Sequence, residues 1–163
     1  MSIQLPSGYQ LRMSSGLERS LLVKFVQLTY QELFPEHNFT HLALTVDRLF
    51  SPETPLWWVE VSPPDLTKSP TRNSPVGCLW LGNAIDQVIG DRYAYIFLLY
   101  VVPHCRQQGI GKALMRQAED WAMARGDRQL GLQVFPHNQP ALNLYSRLGY
   151  QTQSLWMVKP LQR

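Results

Sequence analysis

The run Arg106-Gln107-Gln108-Gly109-Ile110-Gly111 stands directly between an apolar, strand-like segment and an amphipathic helical pattern, and its residue types suit the capture of an anion. Glycines at 109 and 111 let the backbone turn sharply and approach a ligand closely, while the first N–H groups of the following helix have no partner inside it. The helix dipole adds partial positive charge at the same point. Lys112 and Arg116, four apart and so on one helical face, bring full charges. A phosphate-bearing ligand is the natural occupant. The remaining reactive side chains offer less. His37 and His41 are four apart, but Pro35 and the break expected around Asn38 keep them off a common helix, so no metal is implied. His104 and His137 read as surface residues, and Cys105, beside Arg106, as a thiol that the neighbouring charge could activate.

Such a turn needs a strand before it and a helix after it. Residues 93–102 are apolar almost throughout, as a strand buried on both faces should be, and Pro103 ends them. From Gly109 onward, Ile110, Ala113, Leu114, Ala118, Trp121 and Ala122 form one helical stripe, with Gly126 where a C-terminal cap belongs. Residues 130–135 then read as another strand. Strand, crossover helix and strand make a parallel pair of right-handed connection, so the glycine turn lies at the carboxyl end of a buried strand, where open sheets bind ligands.

Upstream, residues 9–13 alternate as a first strand, and Leu17, Leu21, Leu22, Phe25, Leu28 and Thr29 recur at helical spacing until Pro35. A short second helix is expected over residues 40–50, and strands over 56–61 and 76–82. Residues 62–75, with four prolines, read as a long surface connection between them. Trp57 and Trp58 must point to opposite faces of their strand. Downstream, Asn138 suits an N-cap and Pro140 a first turn. Ala141, Leu144, Tyr145 and Leu148 make the apolar face, Gly149 ends the helix, and residues 150–161 are expected to close the sheet.

A chain of 163 residues is about one domain, and 1–163 is expected to be a single one. The longest apolar stretch, residues 96–102, is far below the ~20 residues of a membrane span. The first residues carry neither a basic patch nor an apolar core, and Cys78 and Cys105 are the only cysteines, which together predict a cytoplasmic protein with free thiols. The net charge of +3 is scattered, with no basic and aromatic footprint for nucleic acid.

Two segments taken together have a family look. Leu99-Tyr100-Val101-Val102-Pro103-His104-Cys105 leading into the glycine turn resembles the strand and Arg/Gln-x-x-Gly-x-Gly/Ala loop of the GCN5-related N-acetyltransferases. Asn138-Gln139-Pro140-Ala141-Leu142-Asn143-Leu144-Tyr145, running on to Gly149-Tyr150, resembles their Asn-x-x-Ala helix with its Tyr and trailing Gly-aromatic pair. The likeness covers roughly the C-terminal half of the chain.

The resemblance implies an α/β fold: a mixed, mostly antiparallel sheet with a splayed parallel strand pair and helices on both faces. It implies acetyl-CoA as cosubstrate and a primary amine of a small molecule or peptide as acceptor, attacked directly. Its pyrophosphate would be held by the main chain of Arg106, Gln107, Gln108, Gly109, Ile110, Gly111 and Lys112. The pantetheine arm would pair with the strand end at Leu99, Tyr100 and Val101, and Asn138 would reach the same arm. The Val101 N–H is the candidate oxyanion donor, and Tyr145 matches the family's Tyr that meets the departing thiolate.

One departure stands out. Many relatives place a Glu on the strand before the loop, whereas Tyr95-Ile96-Phe97-Leu98 carries no carboxylate. Either water carries the amine proton to a more distant acid, with Glu32, Glu36 and Glu60 as candidates, or the preferred amine has a low pKa. The missing carboxylate keeps open a CoA-binding sensor or scaffold without turnover, and a transferase of a longer acyl-CoA is a further alternative. Common symmetry favours a homodimer through the C-terminal strands.

Overall fold

Apolar runs and alternations give five strands in the computed structural model, which describes residues 3–62 and 74–162. They are β1 (Tyr9–Met13), β2 (Leu56–Val61), β3 (Gly77–Ile85), β4 (Arg92–Val101) and β5 (Leu130–Leu132), lying side by side in chain order. The pairs β1–β2, β2–β3 and β3–β4 are antiparallel, and β4–β5 is parallel. The expected connection over residues 62–75 falls largely outside the described residues. The chain forms two compact units, Met1–Gln133 and Val134–Arg163.

In the first unit, helices cover both faces of the sheet. Helices α1 (Arg19–Leu33) and α2 (Leu42–Leu49) bury Leu22, Phe25, Val26, Leu42 and Val46 against Trp58, Cys78, Trp80, Leu98 and Tyr100. Phe25 meets Trp58 and Tyr100 edge-on, at 5.2 and 5.7 Å between ring centres, a geometry the aromatic quadrupoles favour. Helix α3 (Ile110–Ala124) buries the stripe Ile110, Ala113, Leu114, Met115, Ala118 and Ala122 on the opposite face, where Trp57 meets Trp121. Trp57 and Trp58 thus divide between the two faces, as strand alternation requires. The far end of α3 is tied to the start of β4 by Asp127, whose buried carboxylate takes Arg92 at 2.9 Å and Arg125 at 3.2 Å.

An irregularity in β4 shapes everything downstream of it. Trp80 pairs with Leu98 but Leu81 pairs with Ile96, so Phe97 is an extra residue, a β-bulge. Gly82 makes room for it: a Cβ there would lie 2.1 Å from the Phe97 ring. A bulge bends its strand, and β4 pairs with β5 only up to it, through Ala94, Tyr95 and Ile96 with Leu130, Gly131 and Leu132. This is why β5 stops at Leu132 and does not run to residue 135. Beyond Ile96, β4 continues to Val101 with no strand on that edge among the described residues.

Where α1 begins, Glu18 gathers an ion network. Arg12 donates to it at 2.8 and 3.1 Å, the Ser14 hydroxyl at 2.8 Å and the Trp58 indole N–H at 3.1 Å, while Arg12 Nε donates to buried Glu60 at 2.9 Å. The Arg12 guanidinium above all holds the Glu18 carboxyl down to about 2, against the opposing effect of burial. A carboxyl lowered in the folded state adds stability that is complete above its unfolded value near 4.5 and is lost as pH falls toward 2. We therefore expect Glu18→Gln to cost roughly 2–3 kcal/mol at neutral pH and to flatten the acid limb of stability. Melting curves between pH 5 and pH 3 check this: the unsubstituted protein should lose more of its Tm over that interval than the variant.

The second unit contains α4 (Gln139–Arg147), which starts where its capping residues predict. Asn138 accepts the Ala141 N–H, Pro140 occupies the first turn, and Gly149 takes a φ of +90° just past the end. Residues 150–162 form no strand, against the expectation that 150–161 closes the sheet. A strand exists only through a partner's hydrogen bonds, and this unit holds no second one. Leu155, Trp156, Met157 and Val158 are left about four-fifths exposed. Among the described residues no helix is long and apolar enough to cross a membrane.

Candidate functional site

The sequence from Val102 to Ile110 folds into a compact turn because each of its special residues has a defined conformational task. Pro103 opens a short 3-10 turn, Pro103–Cys105, and Gln107 and Gly109 follow with φ of +60° and +92° on either side of Gln108. Left-handed residues interleaved in a turn point successive N–H groups toward one concavity, an arrangement suited to anions. The first bond inside α3 runs from the Ala113 N–H to the Gly109 carbonyl, so the N–H groups of Ile110, Gly111 and Lys112 precede the ladder. The Arg106 N–H, by contrast, already donates to the Pro103 carbonyl. The row of donors therefore begins at Gln107, one residue later than the sequence suggested. Lys112 and Arg116 are exposed at the start of the same helix.

The open edge of β4 adjoins this turn. The Val102 N–H bonds to the Val76 carbonyl, and antiparallel ladders alternate, so Leu98 and Tyr100 turn their peptide groups toward β3. Leu99 and Val101 turn theirs to the edge that β5 has left. Tyr100 instead packs its ring into the core against Phe25. The bulge gives Leu99 a place the sequence did not indicate: its N–H is the first edge-facing donor past Phe97, beside Val101 as a candidate for a developing oxyanion. An uninterrupted apolar run cannot disclose which of its residues is the extra one.

Side chains from distant segments brace the turn. The Arg106 guanidinium donates through Nε to the Val101 carbonyl at 2.7 Å and through both terminal nitrogens to Glu32, at 2.6 and 2.7 Å, and lies over the Tyr100 ring. The Tyr9 hydroxyl donates to Gln108 Oε1 at 2.9 Å and meets the Cys105 thiol, which raises its pKa. Pro6 approaches Gly109 within 3.7 Å of where a Cβ would stand. Cys105 is buried, and Cys78 is buried completely, its thiol pushed up by desolvation.

The candidate acids are committed or remote. Glu32 is held by Arg106, Glu60 by Arg12, and Glu36 is exposed in the turn after α1. On the α1 side of the bulge the neighbours are aromatic: Phe97 lies 4.9 Å from Trp80 and 5.8 Å from Tyr95 between ring centres, and burial pushes the Tyr95 phenol up to about 12. His37 and His41 each stack near Phe39, and among the described residues no cluster of His, Cys, Asp or Glu is arranged to hold a metal ion.

In the second unit, Asn138 spends its Oδ1 on the N-cap. Tyr145 is half-buried, with its ring 5.9 Å from that of Tyr150, and burial pushes its phenol up to about 12.

Set against known proteins, residues 23–150 match the family described as acetyltransferase (GNAT). An uncharacterised N-acetyltransferase, YycN of Bacillus subtilis, is 31% identical over 113 residues, 69% of this chain and 65% of that protein. The chain thus spans slightly under two thirds of that relative's length, and about a third of the length of two other curated relatives. Among solved structures, an acetyl transferase from Pyrococcus furiosus, itself assigned only provisionally, aligns with a TM-score of 0.70 and 27% identity over 93% of this chain and all of that one. An aminoglycoside N-acetyltransferase, AAC(6')-Iy, solved in complex with CoA, shares the fold at a TM-score of 0.67 and 13% identity over the whole of both chains.

Proposed function

From the premise that the chain belongs to the acetyltransferase (GNAT) family, we propose that it moves an acetyl group from acetyl-CoA to a primary amine by direct attack. The observation that carries this reading is the adjacency of two sets of backbone groups that bond to nothing else among the described residues: the N–H row from Gln107 to Lys112 and, on the β4 edge, the peptide groups of Leu99 with the Val101 N–H, the Val101 carbonyl being held by Arg106. The first suits a diphosphate and the second an amide-bearing arm that pairs like an added strand. CoA bound to an aminoglycoside N-acetyltransferase of the same fold supports the same donor here. Asn138 and Tyr145 enter this proposal through the family match, which runs to residue 150.

The thioester supplies an activated acyl carbon. The chain's own groups must receive negative charge on the carbonyl oxygen, which the N–H of Leu99 or Val101 does from the open edge. Tyr145, with a phenol near 12, donates a hydrogen bond to the leaving sulfur more readily than a whole proton, because full transfer to a thiolate of ordinary pKa near ~8.5 runs uphill by ~5 kcal/mol. We expect Tyr145→Phe to lower kcat on the order of 10–100-fold with little change in the KM for acetyl-CoA. Steady-state kinetics at saturating amine checks this.

The ring neighbours of Phe97 are Trp80 and Tyr95, and Glu32 and Glu60 are held by arginines, so in this reading the amine loses its proton to water or arrives neutral. An α-amino group is on the order of 10% neutral at pH 7, and a lysine amine below about 0.1%. Thiol release from acetyl-CoA, measured across free amines and peptides, tests the assignment. The expected result is amine-dependent release whose pH profile follows the pKa of each amine. CoA binding with no amine-dependent release would mark a sensor, and preference for longer thioesters a different acyltransferase.

A further inference from the structure

We propose that Arg106 and Glu32 form a latch between the last turn of α1 and the open edge of β4, in which Arg106 acts as a positioning residue through the Val101 carbonyl. The peptide joining Val101 to Val102 is gripped from both sides. Its N–H donates to Val76 on β3 at 2.8 Å, and its carbonyl receives Arg106 Nε at 2.7 Å. The neighbouring Val101 N–H, one of the two edge donors, is carried on a backbone that cannot rotate without breaking one of these bonds. Arg106 is in turn fixed by two parallel charge-assisted bonds to Glu32 and by the Tyr100 face below it. Because Arg106 is also the residue before Gln107, a single side chain sets both the end of the arm-binding edge and the start of the diphosphate turn.

A lysine cannot replace it. One ammonium on a flexible stem reaches the carbonyl or the carboxylate, whereas the planar guanidinium presents separate N–H groups to both. The geometry therefore separates charge pairing from positioning, and the latch rests on the acetyltransferase reading only in what the positioned backbone binds.

The test uses the full chain with four variants: Glu32→Gln, Arg106→Lys, Arg106→Gln, and the double exchange Glu32→Arg with Arg106→Glu. CoA affinity is read by calorimetry, and Tm and acetyl-CoA kinetics are read in parallel. An exposed ion pair contributes little to folding, so Tm should stay within a few degrees throughout. CoA affinity should fall about five- to tenfold in Glu32→Gln and about tenfold or more in both Arg106 variants, with KM for acetyl-CoA rising in step and kcat falling less. The double exchange restores opposite charges but leaves no donor at the Val101 carbonyl, so affinity should stay as low as in the Arg106 variants. Wild-type affinity in Glu32→Gln and Arg106→Lys, or recovery of affinity by the double exchange, would overturn the latch. CoA affinity that falls across the variants in a protein that acetylates no amine would uphold the latch and remove the transferase reading.

Discussion

Gly111→Glu should abolish measurable CoA binding while leaving the fold as stable as before, or more so. Gly111 is the second residue of α3, ahead of the first intrahelical bond. A carboxylate in the first turn of a helix is favourable to the helix by about 0.3–1 kcal/mol, and replacing a helical glycine adds up to ~1 kcal/mol. The same carboxylate occupies the place proposed for a diphosphate. Two like charges about 4 Å apart repel by roughly 4 kcal/mol near a protein surface, which corresponds to a loss of about three orders of magnitude in affinity. Calorimetry with CoA and a thermal melt of the same sample separate the two effects. Undiminished CoA heat in this variant would show that the turn holds no diphosphate.

The second large effect is expected from a position with no part in binding. Gly82→Ala places a methyl 2.1 Å from one carbon of the Phe97 ring and 2.3 Å from the next, so the ring must leave its place between Trp80 and Tyr95. Overpacking of this kind costs about 1–3 kcal/mol, a fall in Tm on the order of 3–10 °C for a chain of this size. Phe97 is also the extra residue of the bulge, so its displacement shifts Leu99 and the point where β4 leaves β5. The turnover rate should fall by at least about tenfold. Trimming the ring with Phe97→Leu should relieve the clash, so that Gly82→Ala costs less in that background than alone. Melts of the two single variants and the double variant complete the cycle.

Local patterns in the sequence were enough to locate the turn, the strand before it and the helix after it. Pro103, Gly109 and the stripe from Ile110 to Ala122 each act within a few residues of their own position. What the patterns could not carry is long-range or non-periodic. The partners Glu32 and Arg106 lie 74 positions apart, and Tyr9 and Gln108 99 apart, and neither pair leaves any periodicity. The bulge at Phe97 is hidden because its neighbours are as apolar as it is, although Gly82, the only trace of it, is visible on the facing strand. Residues 150–161 have strand-like composition, but composition cannot provide the second edge a ladder needs.

Both sulfhydryls of the protein are sealed inside it, Cys78 with no exposed surface and Cys105 with 5%. A chromogenic disulfide reagent added to the native protein should therefore report coenzyme freed by turnover against a blank close to zero. If colour develops at two equivalents per chain before any amine is added, the interior has opened.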